Sequence, residues 1–533
     1  MKDAATPRAL GSGFIASSDK FPERIALEVG GEQFSYTQLR EQACSIAETL
    51  QKNSPVTGVS LTAVLAHRSF SAFSGILGVL FRGHGYVPLN PNFPTQRTAV
   101  MLERSGCRSI VVGNEAIPAL KELLPNAAHP LVVILPASTD ATEFSTEFPG
   151  HTFICGHELC AASDWKPVET GPGDTAYLLF TSGSTGQPKG VPITHANICR
   201  FLDVVTERYG INEYDRFSQM FELVFDLSLF DLFAAWECGA CVCCPTQGEA
   251  QLPAKYIIDS KITVWFSVPS LAISMKRTRM LEPGLYPGLR LSLFCGEALL
   301  EDVIEQWTRA APHSVIENLY GPTEVTLACT CYRWNPHASP GESEHGTVPI
   351  GEPFPGMTAI VVDEKLAEIT PGETGELLLS GPQVAPGYWK DPQKTAAGFV
   401  VPPGMNTLFY RTGDLVQRPL AGQPLKYLGR IDQQIKIRGN RVELGEIEAV
   451  LRDAAGVDIA VAIGWPETPA GADGIVAFLG SRDVALESVR EKARRRLPTY
   501  MMPREIRLID NIPLNPNGKV DRKALIERLD ESV

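Results

Sequence analysis

The feature that most limits how this chain can fold is a rhythm in its first half. Short apolar runs alternate with helix-period segments: SLTAVLA (60–66), AFSGILGVLFRGHG, YVPLN, RTAVMLERSG and RSIVVG follow one another. Strand–helix–strand units are the arrangement that buries both patterns, so the rhythm predicts a parallel sheet with helices on both faces. It returns in ITVWFSV (262–268), LRLSLFCG (289–296) and HSVIENLYG (313–321), which predict a second α/β lobe. From about Gly346 short strands broken by Gly and Pro (AIVVD, GELLLSG, LKYLG) predict a small antiparallel β unit. After GRID (429–432) the helix ELGEIEAVLRDA, the strand IAVAIGW and the helix ALESVREKARRRL predict a small separate α+β domain.

The 533 residues exceed the roughly 250–300 at which one core stops growing, so several domains are expected. A net charge of -13, with Arg494 to Arg496 the single short basic run, argues against nucleic acid as a partner. The N-terminal MKDAATPRALGSGF has no apolar h-region, and no apolar stretch reaches bilayer length, so the expected address is cytoplasmic and no membrane partner is expected. Twelve cysteines then read as reduced core thiols. Cys238, Cys241, Cys243 and Cys244 contain a CxxC half-site, but no second pair with nearby His accompanies it, and ACVCCP reads as a short buried strand after a helix.

In YLLFTSGSTGQPKGVPITHANI (177–198) a strand runs into a loop carrying Gly183, Gly186 and Gly190 among Thr181, Ser182, Ser184 and Thr185. Glycines let backbone N–H groups approach phosphate oxygens, hydroxyls add donors and Lys189 adds charge. This is not the GxxxxGK[ST] loop of kinases and GTPases, because Gln187 and Pro188 separate Gly186 from Lys189 and Gly190 follows the lysine. His195, in THANI, reads as the structural start of a helix.

Ten segments then carry a resemblance: FSYTQL (34–39), GYVPLNPNFP (85–94), LFTSGSTGQPKG (179–190), FDLSLFDLF (225–233), NLYGPTE (318–324), GELLLSGPQVAPGYW (375–389), YRTGDL (410–415), GRIDQQIKIRGNRVELGEIE (429–448), LPTYMMP (497–503) and NPNGKVDR (515–522). In this order, across nearly the whole chain, they resemble the adenylate-forming superfamily, and most closely the free-standing type of amino-acid adenylation domain of nonribosomal peptide synthetases. The resemblance implies an α/β fold with a large N-terminal domain, 1–431, made of two doubly wound α/β subdomains plus a small β-barrel. A small mobile α+β lid domain, 432–533, would follow, rotating about Asp432.

It also implies roles. ATP and Mg2+ would be the cofactors, with Glu324 helping to bind the metal and Thr323 donating to phosphate. Thr181, Ser182, Gly183, Ser184, Thr185 and Lys189 would cradle the triphosphate. Tyr320 would stack on adenine beside the backbone of Gly296, Glu297 and Ala298, with Asn318 and Gly321 further nucleotide contacts. Asp414 would accept both ribose hydroxyls, a task for an acceptor-only group, and Arg430 would add a contact. Lys519 would reach the substrate carboxylate and α-phosphate as a mobile point charge. Lys436 would serve thioester formation when the lid presents its other face.

Asp226 can pair with an α-ammonium, which favours an amino acid over fatty or aryl acids. The family's side-chain pocket falls on Leu227, Phe230, Ser267, Leu293, Cys295, Leu319, Leu327 and Ala328. None is charged, so a charged substrate side chain would be desolvated there without a partner. A small or medium, mainly apolar amino acid is expected, proline first, with cysteine and serine kept open by Ser267 and Cys295. Only ALIERLDESV follows the Lys519 motif, so the expected partner is a separate carrier protein with a phosphopantetheine arm. The alternatives are an acyl- or aryl-CoA ligase and a non-catalytic nucleotide-binding scaffold.

Overall fold

The computed structural model describes residues 8–54, 59–183, 187–432, 434–468, 471–480, 484–510, 512–513 and 520–530. The alternating first half forms a seven-stranded sheet in the order Thr152–Cys155, Val132–Leu135, Ser109–Val112, Leu61–Leu65, Gly85–Leu89, Thr175–Thr181, Lys189–Thr194. Its strands are parallel except for the last, which returns antiparallel beside Thr175–Thr181. Phe70–Phe81 is almost entirely buried and reads as a continuous apolar run, as a helix covered on all sides must.

The second lobe is a nine-stranded sheet in which Val264–Ser267, Leu291–Phe294 and Val315–Tyr320 run parallel side by side. Cys241–Cys243 is the short buried strand expected of ACVCCP, and all twelve cysteines are free thiols. The β unit after Gly346 is a five-stranded antiparallel sheet built on Thr374–Ser380 and Phe409–Gln417. Leu27, Phe73, Tyr177, Phe230 and Leu377, drawn from all three regions, share one buried apolar cluster. Ile447, Val450, Leu451 and Ala477 of the C-terminal domain form a separate one. Two separate cores are what relative domain movement requires. Among the described residues no helix is long and apolar enough to cross a membrane.

His195 opens the helix His195–Tyr209, behind a Thr194–Asn197 capping box. Its Nδ1 accepts the Leu10 N–H at 2.9 Å, and burial pushes its pKa down from 6.5 to about 4. With the folded-state value below the ordinary one, the stability this neutral ring contributes is complete above pH 6.5 and is lost as pH falls toward 4. The loss is up to about 3 kcal/mol. His195→Gln, which keeps an acceptor but does not titrate, is therefore expected to flatten the fall of Tm between neutral and acidic pH, as read by calorimetry.

Candidate active site

A cavity of about 840 Å³ opens where the C-terminal ends of the sheet strands meet the C-terminal domain. Such strand ends are the usual ligand sites of α/β sheets. The expected phosphate loop joins the two strands in which Thr181 pairs with Lys189. Ser182 and Gly183 are described; Ser184 and Thr185 lie outside the described residues. A Cβ at Gly183 would stand 2.2 Å from the Gln187 carbonyl oxygen, so only glycine permits that turn.

Thr181, Asp226, Asn318, Tyr320, Asp414, Arg430 and Lys436 line the cavity. Ser182, Gly296, Glu297, Ala298, Gly321 and Thr323 do so as well. Of the expected side-chain pocket, Leu227, Ser267, Cys295, Leu319 and Leu327 reach it, and Val224 and Phe221 join them. Phe230, Leu293 and Ala328 are fully buried but are not among the lining residues. Phe230 is instead locked behind the wall by the rings of Phe217 and Phe266, at centroid distances of 5.5 and 5.2 Å. Thr326 and Leu327 both adopt left-handed φ, at 57 and 71°, which costs roughly 1–2 kcal/mol each. Gln383 holds this turn, its backbone carbonyl accepting from Thr326 Oγ1 at 2.6 Å and its side-chain Nε2 donating to the Ala328 carbonyl at 2.7 Å.

Five buried polar atoms of residues lining the cavity have no hydrogen-bond partner among the described residues: Thr181 Oγ1, Asp226 Oδ2, Asn318 Oδ1 and the Nε atoms of Arg441 and Arg522. Buried polar groups are rarely left so, except where a ligand completes them. Asp226 does not cap the short helix behind it, and burial raises its pKa. Asn318 is oriented by donating to the Pro349 carbonyl at 2.9 Å, which turns its free oxygen outward. Asp414 accepts from the Tyr320 hydroxyl and, at 2.6 Å, from Arg430, whose other nitrogens bind Asp432 at 2.6 Å.

Glu324 is fully buried beneath Lys189 at 3.2 Å, the Tyr388 hydroxyl at 2.8 Å and Arg441 at 2.8 Å. Burial alone would raise its pKa, but Arg441 and then Lys189 outweigh it and hold the carboxyl well below the usual range. A buried carboxylate kept ionised in this way suits a hard, oxygen-ligated cation. On the phosphate loop, Gly183 N–H donates to Glu446 at 3.1 Å, Arg97 pairs with the same carboxylate, and Ser182 donates to the Arg441 carbonyl at 2.9 Å.

The C-terminal domain thus enters the site through the hairpin Gln434–Ile437/Asn440–Glu443. Its tip, Gly439, donates to Glu297, and a Cβ there would stand 2.5 Å from Val268. Lys436, half-buried, faces the cavity with its pKa lowered by burial and then by Arg441. Lys519 lies outside the described residues. Arg441, Glu446, Arg97 and Tyr388 were missed by reading motifs. Arg441 and Glu446 lie inside GRIDQQIKIRGNRVELGEIE, but nothing in spacing says that they meet Glu324 and the phosphate loop.

The AMP-binding enzyme family matches residues 14–389 and its C-terminal domain family matches 446–519. The zwittermicin A synthase ZmaJ of Bacillus cereus is 31% identical over 95% of this chain and 92% of its own length. Tyrocidine synthase 3 of Brevibacillus parabrevis is 34% identical over 96% of this chain, which spans only 7% of that synthase. The crystal structure of the Vibrio cholerae adenylation domain AlmE, in complex with glycyl-adenosine-5'-phosphate, superposes with a TM-score of 0.87 at 30% identity, covering 100% of this chain and 99% of that one. The chain belongs to the AMP-binding enzymes of the adenylate-forming superfamily, among the adenylation domains of nonribosomal peptide synthetases.

Proposed function

We propose that this enzyme joins an amino acid to AMP at the expense of ATP, releasing pyrophosphate, and then passes the aminoacyl group to the phosphopantetheine thiol of a carrier protein. The observation that carries the reading is that Thr181 Oγ1, Asp226 Oδ2 and Asn318 Oδ1 are all left unpartnered on one cavity. Asp226 Oδ2 suits an α-ammonium, Asn318 Oδ1 an adenine amino group and Thr181 Oγ1 a phosphate oxygen. AlmE, similar over the full chain, holds an aminoacyl adenylate, a ligand with all three of these groups.

Adenylation brings two anions together, so the chain must gather cations and donors around them. Thr181, Ser182, Gly183 and Lys189 supply these at the phosphate loop, with Lys519 added by the C-terminal domain. Glu324 would hold Mg2+, which supplies Lewis-acid neutralisation of phosphate charge when bound. Asp414 and Arg430 would hold the ribose, and Tyr320 would stack on the base. With Glu324 occupied by Arg441 and Gly183 by Glu446, the present lid orientation suits the second half-reaction, after pyrophosphate has left. Asp432, two residues before the start of the hairpin of Lys436, is our hinge and marks the boundary between 1–431 and 432–533.

Val224, Leu227, Leu319, Leu327, Cys295 and Ser267 all line the cavity, and we assign to them the end that takes the side chain. Ser267 Oγ already accepts the Trp265 indole N–H at 3.0 Å. A small or medium apolar amino acid fits best, with proline the first to test. The measurement is amino-acid-dependent exchange of labelled pyrophosphate into ATP, across the standard amino acids and several fatty and aryl acids. Apolar amino acids are expected to exceed Lys, Arg, Asp and Glu by about a hundredfold, the scale of an unpaired buried charge. Exchange with fatty or aryl acids alone would indicate a CoA ligase, and exchange with none a scaffold.

A further inference from the structure

A second cluster lies away from the cavity. Cys241 and Cys243 alternate along the strand Cys241–Cys243, so both thiols project from the same face. Their sulfurs are 3.8 Å apart. Glu28, on the neighbouring parallel strand Ile25–Val29, stands in register with Cys243. One ligand atom from each of the three lies within 4.8 Å of the others.

We propose that Glu28, Cys241 and Cys243 form a structural site for a thiophilic divalent cation, zinc in the first instance, that ties the strand Ile25–Val29 to Cys241–Cys243. Two zinc–sulfur bonds of about 2.3 Å meeting at the tetrahedral angle separate their sulfurs by about 3.8 Å, the spacing already present here. Glu28 accepts from Gln33 through Oε1 at 2.7 Å and from Arg216 through Oε2. Each carboxylate oxygen accepts twice, so one site on each remains for a metal.

The charges also balance. Two thiolates and a carboxylate carry three negative charges; Arg216, paired with Glu28 and in register with Cys241, carries one positive charge and zinc two. Binding releases two thiol protons to solvent and oxidises nothing. The Glu28 side chain is 20% exposed, which gives the ion an entrance and leaves the fourth position to water. The CxxC spacing is not what builds the site, since Cys244 faces Gln219 instead.

The test uses the full chain, stripped of metal under reducing conditions and dialysed against chelator-buffered ZnCl2 or CoCl2. One equivalent of zinc, an intense thiolate-to-cobalt absorption in the near ultraviolet, and a Tm raised by a few degrees are expected. Cys241→Ser/Cys243→Ser should lose the absorption and the stoichiometric zinc, yet keep amino-acid-dependent pyrophosphate exchange with Mg2+. Zinc bound without the thiolate absorption, or retained by the double variant, means an adventitious ion only and overturns the proposal, as does no bound metal. Should the double variant fail to fold, the cobalt spectrum of the unaltered chain decides.

Discussion

Lys519→Ala is expected to lower amino-acid-dependent exchange of pyrophosphate into ATP by about a thousandfold, the scale set by removing one electrostatic partner of a phosphoryl transition state. Lys436→Ala is expected to leave exchange within about threefold of the parent, since a cationic group remote from the reacting phosphate contributes little, and to slow transfer from a preformed adenylate to the carrier thiol. The expectation follows from the lid. In the orientation seen here, Lys436 is half-buried and faces the cavity, while Arg441 and Glu446 hold Glu324 and Gly183. On the proposed mechanism one face of the domain cannot serve both half-reactions, because the triphosphate would need Glu324 and Gly183, the groups that this face occupies. Equal losses in both assays from both variants would refute the two-face account. Single-turnover measurements of each half-reaction make the comparison.

Asp226→Asn is expected to lower kcat/KM for the amino acid by about a hundred- to a thousandfold, as loss of one member of a buried charge pair does. The Tm is expected to stay unchanged or rise, because the substitution replaces a carboxylate whose charge is disfavoured by burial with a neutral amide of the same shape. A merely structural Asp226 would give the opposite pattern, with stability lost and kinetics preserved. Burial raises the pKa of this carboxyl, so its charged form is lost at a higher pH than in an ordinary aspartate. The KM for the amino acid should therefore climb as the solution is acidified, and the Asn variant should lack that climb.

The sequence by itself determined the strand–helix rhythm, the second lobe, the antiparallel unit and the separate C-terminal core, because periodicity and Gly/Pro punctuation are local properties of the chain. It also determined which residues face the cavity at motif positions such as Asp226, Asn318 and Asp414, whose neighbours in the chain are part of the signal. It placed Phe230, Leu293 and Ala328 in the side-chain pocket as well, whereas packing sets them among the residues behind its wall. Only the tertiary structure decided that Arg441 and Lys189 share Glu324, that Glu446 occupies Gly183, and that Glu28 meets Cys241 and Cys243. Those contacts join distant segments, and no local pattern encodes a distance between side chains brought together by folding.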